Sequence, residues 1–158
     1  MMKQNELTFE DKLAEEFPFM RQGKGLDEQH AEGFVGDLYG AFGCECGEGW
    51  YGVLCGLCQD ITDAYVAKGL EVDVVPDQIK EKFGELRFCY HIGHDYFNPP
   101  KHDMHKEVEA LIDKWADISV VTCEWCGKPG QMRNDGWLQV RCDGCEEEYQ
   151  KRYDKYRK

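Results

Sequence analysis

The chain has 158 residues, 42% of them hydrophobic, and a net charge of −12, which suits one globular domain with a real core and excludes a disordered acidic tail. No run approaches the ~18 apolar residues of a membrane span, and the polar opening Met1–Glu6 carries no signal-peptide pattern, so a soluble, cytoplasmic protein with no membrane partner is expected. Ser119 is the only serine, which argues against serine-nucleophile chemistry.

Residues 8–16 read as a short amphipathic helix, with Thr8 as cap, Asp11 three positions on, and Leu13 and Phe17 on the apolar side. Phe17-Pro18-Phe19 ends it. Residues 23–56 are glycine-rich and predict a loop-heavy segment with one helix around 28–42. From Trp50, apolar residues recur at Val53, Leu54, Leu57, Ile61, Ala64 and Tyr65 with helical spacing, and Lys68-Gly69 stops that helix. A β-hairpin follows. Val72, Val74 and Val75 precede Pro76, and Ile79 to Phe83 lead to a turn at Gly84-Glu85. Leu86, Phe88 and Tyr90 then alternate with Arg87, Cys89 and His91. Ile79, Phe83, Leu86 and Phe88 are the expected core of the hairpin, and Cys89, set in an aromatic strand, is assigned to the core as well. Residues 93–102 form a polar loop, and a second amphipathic helix over 103–118 carries Val108, Leu111, Ile112 and Trp115 on one side.

Nine cysteines need an explanation in a reducing compartment, where an odd count and close pairing favour metal over disulfides. The strongest pattern is Cys123-Glu124-Trp125-Cys126, fifteen residues, then Cys142-Asp143-Gly144-Cys145. Two Cys-x-x-Cys pairs deliver the four tetrahedral thiolates that zinc favours, and such a closed sphere is structural because it leaves no position for water or substrate. Asn134-Asp135-Gly136 marks a turn between the pairs. The segment after Cys145 has acid first and base last, the charge order a helix dipole prefers. Knuckle, hairpin and helix together describe a treble-clef-like finger holding one Zn²⁺ through Cys123, Cys126, Cys142 and Cys145.

Two further constellations are weaker. Cys44-x-Cys46 with Cys55-x-x-Cys58 offers a second four-cysteine metal site, although Cys58 also lies on the apolar face of its helix, where a free thiol behaves as a small hydrophobe. His91, His94, His102 and His105, with Asp95 and Asp103, offer an open metal site of the kind a hydrolase or nuclease needs, or else a solvated loop.

The charge is unevenly spread. Residues 1–122 balance at −13 and residues 123–158 at +1, and no Lys or Arg lies between Lys24 and Lys68. So acidic a body repels phosphate backbones. It reads either as a solubilising face or as a docking surface for a basic partner. Arg133, Arg141, Lys128 and the terminal Lys and Arg residues are the finger's candidate phosphate contacts, but four thiolates with Zn²⁺ add −2 to the module. Lys80, Lys82 and Arg87 form the densest basic patch outside the finger and, with Arg133, a candidate binding surface.

Gly47-Glu48-Gly49-Trp50, then Gln78-Ile79-Lys80-Glu81-Lys82-Phe83-Gly84-Glu85-Leu86-Arg87-Phe88, then Cys123-Glu124-Trp125-Cys126-Gly127-Lys128-Pro129-Gly130 and Gly136-Trp137 occur in an order that resembles a family of small bacterial and phage proteins. The resemblance covers about residues 44–145 and implies one zinc finger in a protein of a bacterial cell, without implying an activity. Family members often close the finger with Cys and His, whereas here Cys145 takes the last position. The expectation is therefore an α+β protein: an acidic body over 1–118 made of helices with a β-hairpin, and a four-cysteine finger with a C-terminal helix over 119–158. Its expected role is non-catalytic protein–protein docking, for a phage protein the inhibition of a host enzyme or defence system. A metal-dependent hydrolase or nuclease built on the His91–His105 loop and a nucleic-acid-binding finger are the alternatives.

Overall fold

A computed structural model describes residues 6–22, 38–93 and 103–157. Helix α1 (Phe9–Glu16) starts where the capping pattern puts it. Thr8 Oγ1 accepts a hydrogen bond from the Asp11 amide and Asp11 Oδ2 accepts one from the Thr8 amide, both at 3.1 Å. The pair satisfies backbone donors that the first turn leaves without partners. Leu13 and Phe17 are buried, and the 3₁₀ turn Pro18–Met20 buries Phe19 and Met20. Of the helix expected around 28–42, α2 (Leu38–Phe42) is the described part, and the remainder lies outside the described residues. The Tyr39 hydroxyl donates to the Met20 carbonyl at 2.7 Å and ties α2 to that turn.

β1 (Cys44–Glu45) runs parallel to β2 (Val74–Lys82), and β2 pairs antiparallel with β3 (Glu85–Ile92), so the sheet order is β1-β2-β3. Pro76 sits where the β2–β3 register shifts and β1 does not flank β2, a place where a missing N–H is tolerated. The hairpin turn falls on Phe83-Gly84, one residue before the expected Gly84-Glu85, because Lys82 pairs with Glu85. Both turn residues have positive φ, 55° and 77°, the backbone that a two-residue turn needs to match strand twist.

Two expectations are corrected here. Phe83 is 66% exposed at the turn and is not part of the core. Cys89 is exposed too, since it lies out of phase with the inward-facing Leu86 and Phe88. Among the described residues Phe83 is the only non-glycine with positive φ, a backbone state that costs an L-residue about 1–2 kcal/mol. Phe83→Asn, which accepts that region more readily, is expected to raise the unfolding free energy by about 1 kcal/mol in urea titrations.

Helix α3 (Tyr51–Ala67) buries Val53, Leu54, Leu57, Cys58, Ile61 and Tyr65, the stripe its spacing predicts. Helix α4 (His105–Ser119) lies against it: a Cβ placed on Gly56 would sit 2.0 Å from the Trp115 ring, so the indole occupies the space glycine leaves. Trp115 Nε1 and Lys114 Nζ both donate to Asp60 Oδ2, at 2.8 and 2.7 Å. The lone serine also acts here. Ser119 Oγ donates to the Ala116 carbonyl at 2.6 Å and accepts from the Leu86 amide at 3.0 Å, joining α4 to β3 inside the protein. Buried residues of α1, α2, α3, the sheet and the start of α4 form one apolar cluster. The protein is thus a mixed α+β structure. Among the described residues no helix is long and apolar enough to cross a membrane.

Candidate metal centre

The third segment builds its site from local geometry. Residues 122–130 fold back on themselves: the Cys123 amide donates to the Lys128 carbonyl (2.7 Å), the Gly127 amide to the Cys123 carbonyl (2.9 Å), and Thr122 bridges Pro129. Gly127, at φ 78°, permits the reversal. β4 (Gln131–Asn134) and β5 (Leu138–Arg141) make an antiparallel hairpin, and α5 (Asp143–Tyr156) follows at once. Cys142 caps α5 and Cys145 lies in its first turn, with the Cys145 amide 3.4 Å from Cys142 Sγ.

This arrangement gathers Cys123, Cys126, Cys142 and Cys145, whose sulfurs all lie within 4.8 Å of one another, with Cys126 and Cys142 at 3.6 Å. A tetrahedron with bonds of about 2.3 Å to sulfur spaces its corners about 3.8 Å apart, so the four thiols could hold a metal ion. The Cys145 backbone amide leads in lowering the Cys142 thiol to about 7, helped by its cysteine neighbours. Burial pushes Cys145 the other way. Cys142 thus sits at the N-terminus of α5, where the helix dipole favours the thiolate form a metal would bind.

The cluster is fastened to the rest of the protein by Gly47-Glu48-Gly49-Trp50. The Gly49 amide donates to the Glu124 carbonyl (2.8 Å), the Gly47 amide to Glu124 Oε1 (2.9 Å), and Trp50 Nε1 to the Thr122 carbonyl (2.9 Å). A Cβ on Gly47 would lie 2.3 Å from the Glu124 carbonyl oxygen, and one on Gly49 would lie 2.3 Å from the Cys123 carbonyl oxygen. Both obstacles are backbone, which cannot swing aside. Gly49→Ala is therefore expected to cost about 1–3 kcal/mol in denaturant unfolding. Gly52→Ala, where nothing lies within 4 Å of the added carbon, should be neutral or slightly stabilising. Glu124 is the residue that sequence reasoning missed. It is 4% exposed, its Oε2 has no hydrogen-bond partner, and burial pushes its carboxyl up while the Gly47 amide and Gln139 oppose.

The remaining sequence-level residues fall elsewhere. Among the described residues the finger cysteines are the only group of three or more potential metal ligands drawn together to that distance. Cys44, Cys46, Cys55 and Cys58 are not gathered in this way. They pack in or against the apolar cluster, where burial pushes Cys46 up to about 12 and Cys44, Cys55 and Cys58 upward too. His94, Asp95 and His102 lie outside the described residues. His91 Nδ1 is 2.7 Å from Asp77 Oδ1, and His105 Nδ1 is 3.1 Å from the Tyr90 hydroxyl, two separate pairs. Asp103 accepts from the His105 amide.

The finger arginines Arg133 and Arg141 are engaged in ion pairs within the finger. Arg141 is fully buried and bonds Glu146 and Asp135. Arg133, only 18% exposed, bonds Asp143 at 2.8 Å and the Arg141 carbonyl at 3.2 Å. Lys80 and Arg87 face each other across the hairpin, Arg87 pairing with Glu85 at 3.3 Å, while Lys82 stands 5.6 Å over the Phe83 ring. No family model matches the chain, and no curated protein or solved structure matches it.

Proposed function

We propose that the four-cysteine cluster holds one zinc ion as a structural centre in a treble-clef-like finger, and that the protein acts by docking on another protein rather than by catalysis. The observation that carries the zinc reading is the approach of four sulfurs to within 4.8 Å of one another. Four thiolates fill a tetrahedral sphere and leave no site for substrate. The treble-clef reading is supported by the order of parts: knuckle, hairpin β4–β5, and a helix whose cap and first turn carry the last two cysteines.

Docking on a basic face is supported by the charge of residues 1–122, −13 in balance, which steers basic surfaces inward and phosphate away. Occupying the basic face of an enzyme in this way would inhibit it, the role expected of a small acidic phage protein without a catalytic constellation. The pairing of Arg133 and Arg141 removes the main support for a nucleic-acid finger.

Elemental mass spectrometry of protein purified without added metal should find one zinc per chain, lost in Cys126→Ser. Two metals, or none, would overturn the reading of the centre. Cross-linking in cells should recover a partner through a basic face, with capture lost when Glu45, Glu48 and Asp63 are changed to Lys. Capture indifferent to those changes would remove the docking surface, and binding to oligonucleotides that weakens steeply with salt would favour nucleic acid instead.

A further inference from the structure

Phe83 is costly where it stands. It is a large aromatic side chain, 66% exposed, held at a positive φ that asparagine or glycine would accept with less strain. The turn itself does not need it, because the Glu81 carboxylate already accepts the Gly84 amide at 2.6 Å. Next to it Gly84 rests on the Met132 thioether, and Met132 is itself 40% exposed, so the tip presents a small apolar knob. Lys80, Lys82 and Arg87 share the hairpin that carries the knob, with Lys82 over the Phe83 ring. Such a knob fits an apolar socket with an acidic rim.

The chain carries a depression of that character. A shallow hollow of about 730 Å³ is lined by Leu7 and Ala14 together with Glu6, Thr8, Asp11 and Glu15. It is open to solvent, so a ring can lie on Leu7 and Ala14, and beside them Glu6 and Glu15 stand to meet Lys80 and Lys82, while Asp11 is held in the cap of α1. We propose that Phe83 is a docking knob and that it seats in the α1 hollow of a second copy of this chain, with Lys80 and Lys82 facing Glu6 and Glu15. The contact is between different patches on the two copies, so it closes into a dimer if two such contacts form at once and otherwise propagates. The inference is independent of the metal and of the docking partner considered above.

Sedimentation velocity of the full metal-loaded chain between 5 and 200 µM tests it. The wild type should self-associate at 50 mM salt and weaken at 500 mM, because the rim pairs are exposed and screened. Phe83→Asn should raise the dissociation constant by about tenfold or more, as loss of an aromatic anchor does, while its thermal unfolding shows the fold intact. The decisive arm is a charge swap. Chains carrying Lys80→Glu with Lys82→Glu, or Glu6→Lys with Glu15→Lys, should each be monomeric alone and associate when mixed, since mixing restores opposite charge at both contacts. A wild type that stays monomeric to 200 µM at 50 mM salt overturns the proposal. So does association that survives Phe83→Asn, or variants that fail to associate on mixing.

Discussion

Stripping the metal from the four-cysteine cluster is expected to unfold the finger and to weaken the body with it. Residues 123–157 bury little by themselves: Cys123, Glu124, Val140 and Arg141 are their only buried residues among those described, and α5 has none. Structural zinc in comparable finger peptides binds with about 10–16 kcal/mol at neutral pH, more than a finger this small can supply by packing. Loss of the ion removes the one bond set that joins the knuckle to the first turn of α5, and the released sulfurs, within 4.8 Å of one another, take up protons and no longer hold the knuckle closed. The Glu124 and Thr122 carbonyls then lose their places as acceptors for Gly49 and Trp50. Trp50 is fully buried and stands at the start of α3, so the disturbance reaches the main core. If three such hydrogen bonds are lost at about 1 kcal/mol each, a chain of this size should melt about 10 °C lower. Calorimetry with and without a strong chelator reads this directly, and a red shift of tryptophan emission should accompany it. An unchanged melting temperature after verified metal loss would show that the clasp does not couple the finger to the body.

What the sequence disclosed divides along contact range. The gathering of the finger cysteines was legible because Cys-x-x-Cys geometry is set within four residues, and the cap of α1 because Thr8 and Asp11 are three apart. The clasp was not, because Gly47 meets Glu124 across 77 residues, and a glycine pair gives no sign of which backbone it will approach. β1 is two residues long, too short to show any periodicity. The hairpin was legible in its alternation but misplaced at its turn. Counting Phe83 as a strand residue hides the left-handed backbone that puts it outside. Cys89 follows from the same parity: with Leu86 and Phe88 inward, position 89 faces out. The arginines of the finger show the limit most clearly, since nothing in the sequence says that Arg133 pairs with an exposed carboxylate and Arg141 with two partly buried ones.

Arg141 is expected to be the costliest side chain of the finger to lose after its cysteines. Nothing of it is exposed. Its Nε donates to Glu146 at 2.7 Å, Nη1 to Gln139 at 2.7 Å and Nη2 to Asp135 at 2.8 Å, and its guanidinium lies 3.9 Å from the centre of the Tyr149 ring. One side chain thus joins β5, the hairpin turn and the first turns of α5, the helix that carries Cys145. Removing one member of a buried pair costs about 3–5 kcal/mol because the partner charge stays behind. Asp135 and Glu146 keep 28% and 17% exposure, and water can relieve them, so about 3 kcal/mol is expected for Arg141→Met in denaturant unfolding of the metal-loaded protein. Arg141→Lys should lose most of the same amount, because an ammonium cannot reach three acceptors in a planar fork or stack on Tyr149. Arg133→Ala supplies the contrast. Its partner Asp143 is 93% exposed, and such a screened pair contributes at most about 1 kcal/mol. Since α5 holds two of the four sulfurs, Arg141→Met should also release metal to a colorimetric chelator faster than wild type, whereas Arg133→Ala should not. Equal losses for the two arginines would mean that Arg141 is a surface charge in solution, and would reopen the phosphate-binding reading of both.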